Sequence, residues 1–458
     1  MSLRKEAVTT WKLSGPIIFG ELTQMALGII DSIMVGKISY QQLAAAALVN
    51  SVLNIPFVIG FGMTMSVSQT VSMANGRRDS LKVSHYLYNG FWLCTLAAIV
   101  IAVGLQFSKN ILYHLGQDIE VARLGTPYLM IMGWSIIPMM MFISLKQFAD
   151  GLERTRTAMV LSIAALPINI FINWLLVYGN GGFPKLELTG AGYGTLITRI
   201  LILVLFMGVL FVHPFFSRYM AVRKNQWKLR MQTIKELLKI GIPSSLQASM
   251  ESGAFAVSSI IIGTLGAVQL AAHQIALSCA SLAFMVSWGL AQGSSIRISN
   301  AWGRNNWKDI AIIGKSTLIS SVGYGIAGLL FFVSFRYLLP PAFNKDTAVI
   351  ALAATLMLYA ALFQISDATQ VIAVGLLRGI KDVKVPTIYI AIAYWAIGIP
   401  VGCLMAFNFK MGAAGMWIGF VSGLSFSSLF LNYRFFKLLN KKVALVAIDS
   451  PDDMTKPL

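Results

Sequence analysis

The sequence consists of two similar halves, and this internal repeat constrains the fold more than any other feature. When the chain is shifted by 227 residues, Pro16 aligns with Pro243 and Gly36 aligns with Gly263. Further pairs match at nearly the same offset: Gly62 with Gly289, Ser68 with Ser295, Gly76-Arg77 with Gly303-Arg304, Gly151-Leu152 with Gly375-Leu376, Arg154 with Arg378, and Gly192 with Gly415. A repeat of this length predicts two structural units of the same architecture.

The composition indicates that both halves lie in a membrane. Of the 458 residues, 57% are hydrophobic and only 12% are charged, whereas soluble domains carry about 25% charged residues. A helix crosses a bilayer with about 20 apolar residues. Twelve such stretches lie near 14–36, 43–74, 85–108, 125–147, 158–179, 190–213, 241–264, 269–300, 311–337, 347–374, 386–407 and 412–436. The predicted fold class is therefore all-α integral membrane, with 12 transmembrane helices in two pseudo-symmetric six-helix lobes.

The six spans of each half return the chain to its starting side, so both halves share one orientation as a parallel repeat. We expect an N-lobe at 1–213, a basic cytoplasmic linker at 214–240, a C-lobe at 241–436 and a cytoplasmic tail at 437–458. This arrangement puts most of the 36 Lys and Arg residues on one side of the membrane. The positive-inside rule makes that side cytoplasmic, so both termini are expected on the cytoplasmic side. The expected location is a bacterial inner membrane.

The net charge of +18 by itself would be compatible with nucleic-acid binding, but its distribution favours a membrane surface. The richest cluster of basic residues lies between the halves, where it fits topology and contact with anionic headgroups. It comprises Arg218, Arg223, Lys224, Lys228, Arg230, Lys235 and Lys239. We therefore expect the lipid bilayer, and not nucleic acid, as a partner.

Acidic side chains inside the predicted spans are the main candidate functional residues. A charge at the bilayer centre costs at least ~2.5–3.5 kcal/mol, so such residues require an explanation. Asp31, Glu251 and Asp367 lie in the first, seventh and tenth spans. The aligned residues of the other half are uncharged: Ser258 for Asp31, Gln24 for Glu251 and Ile143 for Asp367. Because the scaffold is duplicated and the acids are not, the acids indicate function more than folding.

Polar side chains close to these acids complete the candidate site. They are Glu21, Gln24, Asn169, Asn173, Arg199, Gln247, Gln364 and Gln370. Helical spacing puts Glu21 and Gln24 on the face of Asp31, and Gln247 on the face of Glu251. Asn169 and Asn173 are expected to hydrogen-bond the first-span carboxylate or to join helices. Arg199 is expected to be a counter-ion to a nearby acid, and Glu21 to meet water or a neighbouring lysine.

Buried acids suit a carrier driven by an ion gradient. A carboxylate can hold a proton or Na⁺, and each elementary charge that moves inward releases ~2.3 kcal/mol per 100 mV. Export of a substrate is coupled to that movement if ion and substrate favour opposite states. Acids also attract cationic substrates in a cavity of low dielectric constant. No Walker motif is present, so we expect no ATP-driven step and no cofactor besides the coupling ion.

Three other function classes fit the sequence less well. An integral-membrane enzyme would need clustered histidines, cysteines or paired acids, and the four histidines are scattered: His85, His114, His213 and His273. A flippase for lipid-linked oligosaccharides would line its cavity with several basic residues, but only Arg199 lies deep in a predicted span. The repeat of two lobes also disfavours a passive channel, because two similar lobes are typical of carriers that alternate between two states. We therefore expect a transporter and not an enzyme.

Three stretches around the acids resemble spans of a known family. They are Ile30-Asp31-Ser32-Ile33-Met34-Val35-Gly36, Met250-Glu251-Ser252 and Ser366-Asp367-Ala368-Thr369-Gln370. Together with Ala271-Ala272-His273-Gln274, they resemble the first, seventh, tenth and eighth spans of the multidrug and toxic compound extrusion (MATE) family, and specifically its NorM-like branch. The resemblance extends over nearly the whole chain.

The resemblance implies a V-shaped pair of lobes that works by alternating access. It also implies antiport of cationic, often aromatic, compounds against inward Na⁺ or H⁺. By position, Glu251 and Asp367 would form the cation site of the C-lobe, with Na⁺ as its possible metal ion, and Asp31 would be a proton- or substrate-linked acid in the N-lobe. Small organic cations are the expected partners, and the protein is expected to be a monomer.

Overall fold

The computed structural model describes residues 2–114, 118–220 and 228–449. Arg223 and Lys224 of the predicted linker and residues 450–458 of the predicted tail lie outside the described residues. The described residues form α-helices with short 3₁₀ and π segments, and no strand occurs among them. The predicted all-α fold class is confirmed.

The helices follow the predicted spans. Those of the N-terminal half are α1 (Leu3–Gly36), α2 (Tyr40–Gly76), α3 (Ser80–Phe107), α4 (Ile119–Gly151), α5 (Thr155–Leu176), α6 (Glu187–Val212) and the short α7 (Pro214–Met220). Those of the C-terminal half are α8 (Met231–Thr264), α9 (Ala267–Gly303), α10 (Trp307–Phe335), α11 (Thr347–Gly379), α12 (Lys384–Ala391), α13 (Ile399–Cys403) and α14 (Ala413–Asp449). A π-helical segment, Ile392–Gly398, joins α12 to α13, and a second one, Leu404–Asn408, follows α13.

Within the described residues, 11 helical stretches are long and apolar enough to cross a membrane. The remaining predicted span, 241–264, lies in α8, where serines together with Gln247 and Glu251 lower the mean hydropathy. Two helices continue past the predicted spans. α8 already begins at Met231, so residues 231–240 of the predicted linker are helical, and α14 continues through residues 437–449 of the predicted tail.

The helices divide into two compact units. The N unit comprises Phe19–Ser249, and the C unit comprises Met1–Ile18 with Met250–Leu458. These units differ from the predicted lobes because residues 1–18 belong to the C unit and residues 241–249 belong to the N unit. α1 and α8 extend beyond their spans, and the N-terminal part of each packs on helices of the other half of the sequence. Each of these two helices therefore contributes to both units.

One helix forms the centre of each unit. In the N unit, α4 packs against α2, α3, α5 and α6 around buried Met140, Phe148 and Phe206. In the C unit, α11 packs against α9, α10 and α14 around buried Leu376 and Trp417. Lipid tails are as apolar as these side chains, so helix association in a membrane depends on close packing more than on the hydrophobic effect.

The repeat is visible as two equivalent helix crossings. In the N unit, α2 passes so close to α8 at Gly62 that a Cβ atom there would lie 2.4 Å from Ser245 Cα. In the C unit, α9 passes α1 at Gly289, where a Cβ atom would lie 3.1 Å from Ile18 Cα. Gly62 aligns with Gly289, and Ile18 aligns with Ser245, at the same shift of 227 residues. Both crossings depend on the absence of a side chain.

We expect Gly62→Val to lower the free energy of unfolding by roughly 1–3 kcal/mol. The added side-chain atoms would clash with the backbone of α8 at Ser245, and the two helices would have to move apart. Thermal unfolding of the detergent-solubilised protein measures the effect. Gly104→Val is the matched control, since nothing lies within 4 Å of a Cβ atom at Gly104. Equal melting temperatures for the two variants would contradict the close approach of α2 and α8 at Gly62.

A glutamine at the start of the second helix is also repeated. In the N unit, Gln42 Oε1 accepts a hydrogen bond from Leu188 N at 2.9 Å. In the C unit, Gln269 Oε1 accepts one from Ala413 N at 2.9 Å. Gln42 and Gln269 align at the shift of 227 residues. Each satisfies a backbone N–H at the start of the last long helix of its half, where no intrahelical partner exists.

Candidate functional site

In the N unit, Asp31 of α1 is held by donors from α5 and α6. Asn173 Nδ2 donates to Asp31 Oδ1 at 2.7 Å, and Thr195 Oγ1 donates to Asp31 Oδ2 at 3.2 Å. The same amide nitrogen lies 3.2 Å from Asn169 Oδ1 and donates to it. The structure thus brings Asn169 and Asn173 together with the first-span carboxylate. Gln24 is partly buried and takes no part in this network.

The position of Asn173 depends on a glycine in the facing helix. A Cβ atom on Gly194 of α6 would lie 2.0 Å from Asn173 Oδ1, so only glycine leaves room for the amide. Gly194 directly precedes Thr195, the second donor to Asp31. Sequence reasoning missed Thr195 because threonines are common in membrane spans. The adjacent Gly194 was the one sequence feature that could have indicated a close polar contact at this position.

Arg199 lies one turn after Thr195 on α6. Its guanidinium donates to Ser135 Oγ of α4 at 2.5 Å and interacts with Asp31 and Tyr128 by longer-range electrostatics. Arg199 therefore offsets the charge of Asp31 from a distance, without a direct ion pair between the two.

A cluster of three charged side chains in the N unit connects α1 and α4. Glu21 Oε1 and Lys146 Nζ lie 2.6 Å apart, and their side chains are 13% and 7% exposed. Asp150 follows Lys146 by one helical turn and interacts electrostatically with both residues. Sequence reasoning missed Lys146 and Asp150, because the predicted fourth span ends at 147 and charges are expected at span ends. The structure extends α4 to Gly151, which buries both.

In the C unit, Glu251 of α8 is hydrogen-bonded to a π-helical segment. Tyr394 Oη donates to Glu251 Oε1 at 2.9 Å, and the adjacent Trp395 Nε1 donates to Met250 O at 3.1 Å. Both aromatic residues lie in Ile392–Gly398. π segments inside helices occur frequently at functional sites. Sequence reasoning did not identify Tyr394, because nothing in the apolar pattern predicts a π segment.

Asp367 of α11 is deeply buried, with 1% of its surface exposed. Among the described residues, its Oδ2 atom has no hydrogen-bond partner, and the amides of Gln364 and Gln370 also have none. Asp367 interacts electrostatically with Glu251 and Tyr324. Buried polar atoms are normally paired. These oxygen atoms therefore have capacity for a proton or a small cation, and they are of the type that hard cations prefer.

Gln247 and Arg378 are two further polar residues of α8 and α11. Gln247 is buried in the part of α8 that belongs to the N unit, whereas Glu251, one turn further, belongs to the C unit. Arg378 of α11 interacts electrostatically with Glu251, and its guanidinium lies 5.9 Å from the centre of the Trp288 ring. Within the described residues, no group of three or more His, Cys, Asp or Glu side chains could hold a metal ion.

The N unit also contains an open, mainly apolar groove of about 560 Å³ between α1 and α2. Its lining residues are Met25, Gly28, Ile29, Ser32, Ile33, Gly36, Leu43 and Asn50. Methionine adapts to ligands of different shape. The groove shares helix α1 with the carboxylate of Asp31.

Comparison with known proteins identifies relatives of the whole chain. The MatE family profile matches residues 16–175 and 243–404, one stretch in each half. The probable multidrug resistance protein NorM of Rhizobium meliloti (strain 1021) is 36% identical over 95% of this chain and 94% of its own length. The protein of the same name from Brucella suis biovar 1 (strain 1330) is 31% identical over 97% of this chain and 95% of its own.

Solved structures show the same fold at lower sequence identity. An outward-facing multidrug resistance MATE family transporter of the MOP superfamily superimposes with a TM-score of 0.88 and 17% identity, covering 97% of each chain. The eukaryotic MATE transporter AtDTX14 gives a TM-score of 0.87 and 21% identity, covering 96% of this chain and 98% of that one. At these identities the likeness supports the fold alone.

Proposed function

Because this chain belongs to the MatE family, whose members are transporters and not enzymes, we propose that it is a secondary-active efflux antiporter. It exports cationic, aromatic organic compounds in exchange for inward Na⁺ or H⁺. The observation that carries the proposal is the unpaired, buried carboxylate oxygen of Asp367, in electrostatic contact with Glu251. The protein works as a monomer in a bacterial inner membrane, with both termini in the cytoplasm.

The acids of the C unit supply the ion-binding chemistry. An ionised carboxylate without a partner is costly in a medium of low dielectric constant, and two such groups repel each other. A proton or Na⁺ removes both costs. Tyr394 donates to Glu251 and fixes one of its oxygens, which leaves Asp367 as the carboxylate with free capacity. Asp367 is therefore the primary ion acceptor.

Coupling requires that ion and substrate favour opposite states of the carrier. An ion that enters the cell releases ~2.3 kcal/mol per charge per 100 mV, which is available to move substrate outward. In the N unit, the groove between α1 and α2 supplies an apolar surface with Met25 and Asn50. Asp31 on the same helix supplies the negative charge that selects cations.

Flux in proteoliposomes tests this function. The purified protein is reconstituted, and uptake of a fluorescent aromatic cation is followed with a Na⁺ gradient alone, a pH gradient alone, and neither. We expect accumulation against the dye gradient with one of the two ion gradients, and none without a gradient. An ionophore that dissipates the effective gradient should abolish accumulation, and protein-free liposomes are the control. Dye movement that only ever equalises concentrations would identify a passive channel instead.

A further inference from the structure

We propose that Glu21, Lys146 and Asp150 form a second proton-binding site, in the N unit, at which Asp150 takes up the proton. The three side chains come from α1 and α4. Glu21 and Asp31 are both on α1, ten residues apart, which corresponds to about 15 Å of helix at 1.5 Å per residue. The site is therefore distinct from the Asp31 network, and its existence does not depend on which substrate the protein exports.

The first argument is the charge balance of the cluster. Lys146 is paired with Glu21 at 2.6 Å, so one ammonium group already neutralises one carboxylate. Asp150 is the second carboxylate, with 2% of its surface exposed and an Oδ1 atom that has no partner among the described residues. An unpaired ionised group at that depth is strongly unfavourable. Proton binding changes the Asp150 carboxylate into a neutral carboxyl group and takes the net charge of the cluster from −1 to 0.

The second argument distinguishes a proton from Na⁺. A metal cation beside Asp150 would be repelled by the ammonium group of Lys146, which acts on Asp150 electrostatically. The same repulsion acts on a bound proton, so the number of available ligands is what distinguishes the two ions. The cluster offers few oxygen ligands, and hard metal ions require several.

The charged surroundings of Asp150 are limited to the cluster itself. Lys146 and Glu21 are the groups that act on it electrostatically. α2 contains no titratable residue after Tyr40, and the one charged residue of α5, Arg156, is exposed.

The remaining charged groups on the helices that pack on α4 do not act on Asp150 electrostatically. On α7, whose Phe216 and Tyr219 pack on Phe148, Arg218 lies over the rings of Phe215 and Tyr219. On α3, the buried His85 interacts with Asp79 and Arg230, and the exposed Lys82 lies in the first turn. On α6, Arg199 interacts with Asp31 and Tyr128. Glu187 of α6 pairs with Lys185. Protonation of Asp150 is therefore controlled within the cluster.

The third argument comes from the internal repeat. At the offsets that align the two halves, Glu21 corresponds to Ala248, Lys146 to Gln370 and Asp150 to Val374. The same helical framework is thus built in the C-terminal half without any of these charges. The three charges are an addition in one half, as expected of a functional group and not of a requirement for folding.

Infrared difference spectroscopy of the purified protein in lipid nanodiscs tests the proposal. A stepwise change of pH should produce a protonated-carboxyl C=O band that is absent in Asp150→Asn and unchanged in Glu153→Gln, a variant of an exposed acid close by. The band should persist in Glu251→Gln and Asp367→Asn. Proton uptake, titrated with a pH-sensitive dye, should fall by one proton per molecule in Asp150→Asn. A spectrum of Asp150→Asn identical to that of the wild type at every pH would overturn the proposal.

A second measurement does not depend on the folding of that variant. In protein labelled with ¹³C at aspartate carboxyl groups and carrying Asp31→Asn and Asp367→Asn, the band should shift with the isotope. Absence of an isotope-sensitive band would count against Asp150. A band produced by Na⁺ at constant pH would show metal binding and would also overturn the proposal. Because both readouts are spectroscopic, they stay informative even if dye transport is not observed.

Discussion

Glu251→Gln and Asp367→Asn are each expected to abolish gradient-driven accumulation of the dye while the protein still folds. Each variant keeps the shape of the side chain and removes its ability to carry a charge-compensating ion. At 100 mV, one coupled charge contributes ~2.3 kcal/mol, which corresponds to an accumulation ratio of about fifty-fold. The ratio in proteoliposomes should therefore fall by up to about that factor, toward simple equilibration.

The structure explains why these variants should remain folded. Tyr394 Oη can donate to the amide oxygen of a glutamine at 251 as it does to Glu251. At 367, the change removes a carboxylate whose Oδ2 atom has no partner among the described residues. Glu153→Gln, in which an exposed acid is changed, is the matched control. Accumulation at the wild-type level in both variants would exclude the C-unit acids as the coupling site.

Lys146→Met is expected to be the most destabilising of the single substitutions considered, by about 3–5 kcal/mol. It leaves the carboxylates of Glu21 and Asp150 in the interior of the N unit without a positive partner. Lys185→Met is the matched control. That lysine also pairs with a glutamate, Glu187, but its side chain is 56% exposed, and exposed pairs contribute about 0–1 kcal/mol.

Unfolding in detergent, followed by tryptophan fluorescence, measures both effects. The double variant Lys146→Met/Glu21→Gln should recover part of the loss, because it removes one of the two uncompensated charges, and a double-mutant cycle gives the coupling energy. Equal free energies of unfolding for Lys146→Met and Lys185→Met would show that the buried pair of Lys146 and Glu21 stabilises the protein no more than the exposed pair does.

The sequence was sufficient to predict the spans and the main acids. Long apolar runs have few alternatives to membrane helices, and an isolated Glu251 or Asp367 within such a run is conspicuous because its cost is high. Lys146 and Asp150 were not predicted, since a charge near the end of an apolar run normally marks the membrane surface. Whether such a residue is buried depends on how far the helix continues and on what packs beside it.

The partners of Glu251 and Asp31 were predictable to different extents. Asn173 and Asn169 lie at helical spacing on one face, so a shared polar role could be inferred before their contact with Asp31 was seen. The role of Tyr394 could not be inferred from the sequence, because a π segment depends on local packing and produces no periodic pattern of residues. Hydropathy also could not predict that residues 1–18 and 241–249 belong to the opposite units from the predicted lobes. It indicates where the spans lie, but not which helices pack against each other.

The way in which α1 and α8 are divided between the units has a consequence for the origin of the chain. A polypeptide cut between α7 and α8 would give two fragments, and neither would contain all the residues of either unit. A protein of half the present length with this fold would form a complete unit only as a dimer. In that dimer, each copy would contribute the N-terminal part of its first helix to the unit of the other copy. Fusion of two copies of such a gene would convert an obligate dimer into a single chain.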